Sequence, residues 1–161
     1  MTDVDPAELD LATLSWLAGS AANEHLLAAI RRAGHLHLRI SHGYVFQMLI
    51  GGPTSISDLA QQLGMTQQGA SKVVAELKAL GYLTVQPSST DRRIRHIALS
   101  RRGEEAVEAA RSARAELDTR LLITLNAETM AHAKRALAAL LDATGGMEAT
   151  RQRRVRAPDL E

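Results

Sequence analysis

Residues 55–81 read SISDLAQQLGMTQQGASKVVAELKALG, and two helices joined by a tight turn can be read from their punctuation. Ser55 followed three residues on by Asp58 is a capping-box start, and Leu59, Ala60 and Leu63 then give one apolar helical face that stops at Gly64. Thr66 caps a second helix, which places Ala70, Val73, Leu77 and Leu80 on one face and stops at Gly81. Gln67, Gln68, Ser71, Lys72 and Ala75 turn the other way. A short, donor-rich outward face near the start of the second helix, three residues after the first, suits the major groove of DNA, where base edges present hydrogen-bonding groups.

The next segment reads as a hairpin. Tyr82 to Gln86 and Arg95 to Leu99 both alternate, with Leu83 and Val85 answered by Ile97 and Leu99, so each strand can bury one face. Between them Pro87-Ser88-Ser89-Thr90-Asp91-Arg92-Arg93 has little to bury and carries two adjacent arginines, a side chain suited to phosphate and to the electronegative minor groove. Such a loop is expected to act as a wing. The candidate DNA-binding set is Thr66, Gln67, Gln68, Ser71, Lys72, Asp91, Arg92 and Arg93.

The stretch resembles the DNA-binding core of the MarR family of bacterial winged-helix regulators. The residues that carry the resemblance are Leu59-Ala60, Leu63-Gly64, Leu77, Leu80-Gly81, the Asp91-Arg92-Arg93 tip and the Leu99-Ser100-Arg101-Arg102-Gly103 exit into the next helix. In that family the wing pattern is Asp-x-Arg; the resemblance assigns the minor-groove arginine to Arg93 and the steadying aspartate to Asp91. Where the family commonly has an acidic–basic pair at the wing base, this chain has Thr84-Val85, which leaves the base less charged.

Charge is distributed as this reading requires. The net charge is only +1, yet Ser41 to Gly103 carries seven basic against three acidic residues, a net of +4, while the N-terminal part is −2 and the C-terminal part −1. With 161 residues, 45% of them hydrophobic and 2% aromatic, the core must be aliphatic and helix-rich. The absence of cysteine excludes disulfide scaffolds, zinc–thiolate sites and thiol sensing. An acidic N-terminus without an apolar secretory core, and no apolar run near the ~20 residues of a membrane span, lead to the expectation of a cytoplasmic protein.

The expected fold class is all-α-dominated with a minor β component: a winged helix-turn-helix with a two-stranded wing, plus dimerisation helices at both ends. Residues 1–36 hold the N-terminal dimerisation helix, 37–100 the winged domain, 101–146 the C-terminal dimerisation helices, and 147–161 a polar tail expected to lack fixed structure. The first helix runs from about Leu9 to Arg32, and Ser41 is expected to cap the next. Ser100 caps a long helix to about Leu125, and Asn126 caps another closed by Gly145-Gly146. The helices outside the winged core are amphipathic and lack cover, which suggests either an intramolecular bundle or a homodimer through Leu14, Leu17, Leu117, Leu121, Leu137 and Leu141; the resemblance favours the dimer.

Four of the six histidines, His25, His35, His37 and His42, lie close in sequence, but their spacing matches no ligand motif, and neither a metal nor another cofactor is expected. The resemblance implies instead a small-molecule effector, of the phenolic or aromatic-acid kind, bound between the winged domain and the dimerising helices. It also implies that the effector alters the spacing of the two reading helices through hinges at Gly34 to Ser41 and Ser100 to Gly103. No nucleophile–base pair, phosphate-binding glycine loop or paired carboxylate suggests an enzyme. The sequence thus points to a homodimeric, ligand-responsive repressor on a palindromic operator. The alternatives are a winged helix used for protein contacts, or a solvated Gln67, Gln68 and Lys72 face beside an ordinary Asp91–Arg93 turn pair.

Overall fold

The computed structural model of the chain describes residues 4–87 and 95–151. A short 3-10 turn, Pro6–Glu8, precedes α1, Leu11–Arg32, which is capped by Asp10: Oδ1 accepts the Thr13 N–H at 2.9 Å. No residue of α1 is buried. Next come α2, Ile40–Leu49, the short strand β1, Thr54–Ser55, and the pair α3, Ile56–Leu63, and α4, Gln67–Ala79. Strands β2, Leu83–Pro87, and β3, Arg95–Leu99, follow, then α5, Arg101–Ala143, and α6, Met147–Arg151.

The hairpin has the register that its alternation implies, with Leu83 opposite Leu99 and Val85 opposite Ile97. The sheet has three strands rather than the two expected, because Thr54 and Ser55 pair antiparallel to Ile97 and His96. A two-residue strand has no period to read, so only its neighbour reveals it. The core lies under this sheet: Val45, Phe46 and Leu49 from α2 meet Leu59, Leu63, Val74, Leu77, Tyr82, Leu83 and Ile97. Leu59, Leu77 and Ile97 are wholly buried, a burial worth about 1.5–3 kcal/mol for each side chain.

Two local expectations are corrected. The residue that caps α2 is Arg39, not Ser41, and His42 Nδ1 accepts the Arg39 backbone N–H at 3.3 Å. The inward valine of α4 is Val74, with Val73 only partly buried against the core.

α5 breaks at Asn126, whose backbone leaves the helix (φ 61°, ψ 168°) while its Oδ1 accepts the Thr129 N–H at 3.0 Å. Lys134 Nζ lies 3.6 Å from Asp118 Oδ2, whereas a straight helix would hold them about 24 Å apart at ~1.5 Å per residue. The two arms therefore double back, and Asn126 caps the second, as its side chain suggested. Met147–Arg151 adds a short helix where a polar tail was expected to begin; residues 152–161 lie outside the described residues.

Tyr82, 1% exposed at the start of the wing, ties the parts together. Its hydroxyl lies 3.2 Å from His35 Nδ1, its ring meets Phe46 at 5.9 Å between centroids, and the Arg102 guanidinium sits 4.9 Å above it. Burial, then Arg102, holds the His35 pKa below its ordinary 6.5; burial, then Arg39, does the same for His42 against the opposing pull of Glu76. The unfolded chain therefore takes up these protons first, so stability is full above pH 6.5 and declines as pH falls from there through the depressed folded values. Thermal melts should show a lower melting temperature at about pH 5.5 than at about pH 7.5, and part of that drop should vanish in His42→Gln. A melting temperature unchanged or rising towards acid would contradict these assignments.

Candidate nucleic-acid interface

The turn between α3 and α4 is built from short-range hydrogen bonds. Ser55 Oγ accepts the Asp58 N–H at 3.1 Å and donates to Asp58 Oδ2 at 2.7 Å, fixing the start of α3. Gly64 closes it in the left-handed region at φ 66°, which a side chain would strain. Thr66 Oγ1 then accepts the Gly69 N–H at 3.1 Å and starts α4. With Ala70, Val74 and Leu77 buried, the helical period leaves Gln67, Gln68, Ser71, Lys72 and Ala75 exposed together. Four hydrogen-bonding side chains thus share one face, beginning at the positive end of the helix dipole.

Thr66 is exposed beside them, with its oxygen engaged as the cap. Asp91, Arg92 and Arg93 lie outside the described residues. The described wing ends at the Pro87–Arg95 pair, where Arg95 is exposed. Arg95 was not among the sequence candidates, although its place just past the two wing arginines could have signalled it.

A cavity of about 470 Å³ lies between α1, α2 and the first arm of α5. Its wall is apolar at Leu26, Ile30 and Phe46 and cationic at Arg39, Arg111 and Arg114; among the described residues no carboxylate lines it. The volume suits a small organic molecule, and three guanidiniums whose acidic partners, Glu76 for Arg39 and Glu108 for Arg111, stand outside the wall favour an anion. None of the four neighbouring histidines lines the cavity: His35 contacts Tyr82, His42 lies by Arg39 and Glu76, His25 Nε2 is 2.9 Å from Arg120, and His37 is exposed. Among the described residues no group of three His, Cys, Asp or Glu side chains is arranged to hold a metal. None of those described helices is long and apolar enough to cross a membrane.

The segments expected to hinge make contacts with the base of the wing. Ser100 N donates to Tyr82 O at 2.9 Å, and Ser100 Oγ donates to Gly81 O at 2.6 Å while accepting the Gly103 N–H at 3.1 Å. On the other side, His35 and Leu38 are buried, and His35 reaches Tyr82. Both connections are thereby tied to the base of the wing.

A helix-turn-helix whose second helix exposes a polar face, followed by a β-hairpin on the same core, defines a winged helix-turn-helix protein. A model of the MarR family matches residues 36–94, from the α1–α2 connection into the wing. The match covers the winged part of this chain and is a similarity to the MarR family over that part. Solved structures share the arrangement beyond that segment. RV1404 from Mycobacterium tuberculosis is 22% identical with a TM-score of 0.73, covering 90% of this chain and 99% of its own. A mutant of MepR from S. aureus bound to an oligodeoxyribonucleotide is 19% identical with a TM-score of 0.62, covering 85% and 99%. The heme sensor PefR from Streptococcus agalactiae, in complex with heme, is 18% identical with a TM-score of 0.56, covering 83% and 93%. No curated protein sequence matches the chain.

Proposed function

We propose that the protein is a sequence-specific DNA-binding transcriptional repressor that acts in the cytoplasm as a homodimer on a palindromic operator and is released by a small anionic ligand. The observation that carries this reading is the exposed Gln67, Gln68, Ser71 and Lys72 face of α4, presented beside the wing by a domain similar to the MarR family. Its neighbour MepR, solved on an oligodeoxyribonucleotide, supports DNA as the partner, and PefR with heme supports a small-molecule effector.

In this reading Thr66, Gln67, Gln68 and Ser71 meet the major groove, Lys72 the groove wall and Arg93 the minor groove, with Asp91 steadying Arg93 and Arg92 beside it at the wing tip. The ends of the chain, residues 1–36 and 101–146, pair with a second copy so that two winged domains span half-sites about 34–36 Å apart. The effector is an aromatic acid held in the α1–α2–α5 cavity.

Selection of bound sequences from random DNA tests the class and the symmetry together: a palindromic consensus is the expected result, and recovery of no enriched sequence would favour a protein-contact role. On the selected site, Lys72→Ala should lower the slope of log affinity against log salt by about 0.9 per lost phosphate contact in each subunit, and weaken unrelated DNA equally. Arg93→Ala should cost most where the minor groove is narrow. Two variants binding every DNA as tightly as the wild type would remove both assignments.

A further inference from the structure

Arg39 belongs to two places at once. Its side chain lines the cavity, and its Nη2 pairs with Glu76 Oε2 on α4, one turn beyond Lys72. The same Nη2 lies 3.0 Å from Nε2 of His42, a side chain 1% exposed whose Nε2 stands 3.6 Å from Glu76 Oε1. The side chains of Arg39 and Glu76 are 57% and 37% exposed, so water competes for this pair and it can exchange partners. The joins at Ser100–Gly103 and at His35 contact the base of the wing, and Arg39–Glu76 is a direct ionic contact between the cavity wall and α4.

We propose that Arg39 is the residue through which an anion in the cavity acts on the helix that reads DNA: the anion takes the guanidinium from Glu76. This rests on the ligand-responsive reading above. A guanidinium grips a carboxylate with two parallel bonds through Nη1 and Nη2 or through Nε and Nη2, and with Glu76 and His42 both at Nη2 either grip draws on a nitrogen whose two sides are already occupied. The incoming carboxylate also repels that of Glu76. Once stripped of Arg39, Glu76 is an uncompensated negative charge on α4, four residues from Lys72, and α4 loses its tie to the start of α2. A negative charge uncovered there opposes the phosphates that the same face must approach. By linkage, DNA binding expels the anion by the same factor. The ligand class is a monocarboxylate on a flat apolar body, matching the Leu26, Ile30 and Phe46 wall beside Arg39.

Benzoate and its neutral analogue benzamide test the exchange at matched ionic strength, against full-length wild type, Glu76→Gln and Arg39→Gln. Calorimetry should show benzoate binding wild type about tenfold tighter than benzamide, and binding Glu76→Gln about two- to fivefold tighter than wild type, on the scale of an exposed ion pair. Benzamide should bind wild type and Glu76→Gln alike, and Arg39→Gln should lose most of the preference for benzoate. On the selected DNA site, saturating benzoate should weaken wild-type binding by about fivefold or more but Glu76→Gln binding by no more than about twofold. Glu76→Gln keeps the side-chain shape at a part-exposed position, and a melting temperature near that of the wild type confirms that it is folded. No benzoate binding to wild type, equal benzoate affinity in wild type and Glu76→Gln, or equal weakening of their DNA complexes would overturn the proposal. Failure of the wild type to bind any DNA would instead overturn the regulator reading, and the calorimetric comparison, which uses no DNA, would still decide the exchange at Arg39.

Discussion

Gly103→Ala should cost the protein about 3 kcal/mol of stability, the upper part of the range for overpacking a closed contact. A Cβ at Gly103 would stand 2.3 Å from the backbone oxygen of Tyr82 and 3.1 Å from Leu99 Cδ2. Neither neighbour can yield cheaply. The Tyr82 oxygen accepts the Ser100 N–H at 2.9 Å, and Ser100 caps the very turn of α5 that contains Gly103. The methyl fits only if α5 lifts off the start of β2, which would break those bonds and disturb the Tyr82 centre. Helix propensity alone predicts the opposite sign, because alanine is favoured over glycine in a helix by about 1 kcal/mol. The melting temperature should fall by roughly 6–12 °C, as expected for a loss of this size in a chain of this length. Denaturant titration with an unchanged slope would confirm that the folded state alone is affected. An unchanged or raised melting temperature would mean that α5 is not seated on the wing base.

Leu137→Glu and Leu121→Glu should each abolish self-association at micromolar concentration. These leucines are 45% and 38% exposed, on opposite sides of the break at Asn126 in α5, where Ile123 is 82% exposed, and Trp16 on α1 is 70% exposed. Apolar surface of this extent, on helices that bury so little within the chain, is what the proposed pairing with a second copy would cover. Each dimer would bury two new carboxylates without partners, at several kcal/mol each, so the dissociation constant should rise by at least about a hundredfold. Sedimentation should show wild-type dimers and mutant monomers, and the mutants should lose the advantage of a palindrome over a single half-site. A variant that sediments with the wild type would remove its leucine from the interface. A monomeric wild type would remove the homodimer.

Features that depend on atoms within a few residues were legible in the chain itself. The oxygens of Ser55, Thr66, Ser100 and Asn126 each cap a helix by reaching an N–H three residues on, and Gly64 ends one where a positive φ is required. The strand register follows from a period of two, since a slip by one would turn Leu83 and Ile97 out of the core. The exposed face of α4 was legible for the same reason, although its phase was not: Val73 and Val74 are adjacent, and only the residues packed over them chose Val74. The short β1, the start of α2 at Arg39 and the union of Arg39 with Glu76 were hidden, because each depends on a partner supplied by another element. So were the bonds of Ser100 to the base of the wing. Ser100 reads as a cap from the chain alone, and its further bonds to Gly81 and Tyr82 exist only because folding brings those residues beside it. The sequence by itself determined the boundaries of α3 and α4, the register of the hairpin and the polar face, because capping and periodicity act over a few residues. The tertiary structure alone decided the cavity, the bonds of Ser100 to the wing base and the link from cavity to α4, because those are contacts between groups that only folding brings together.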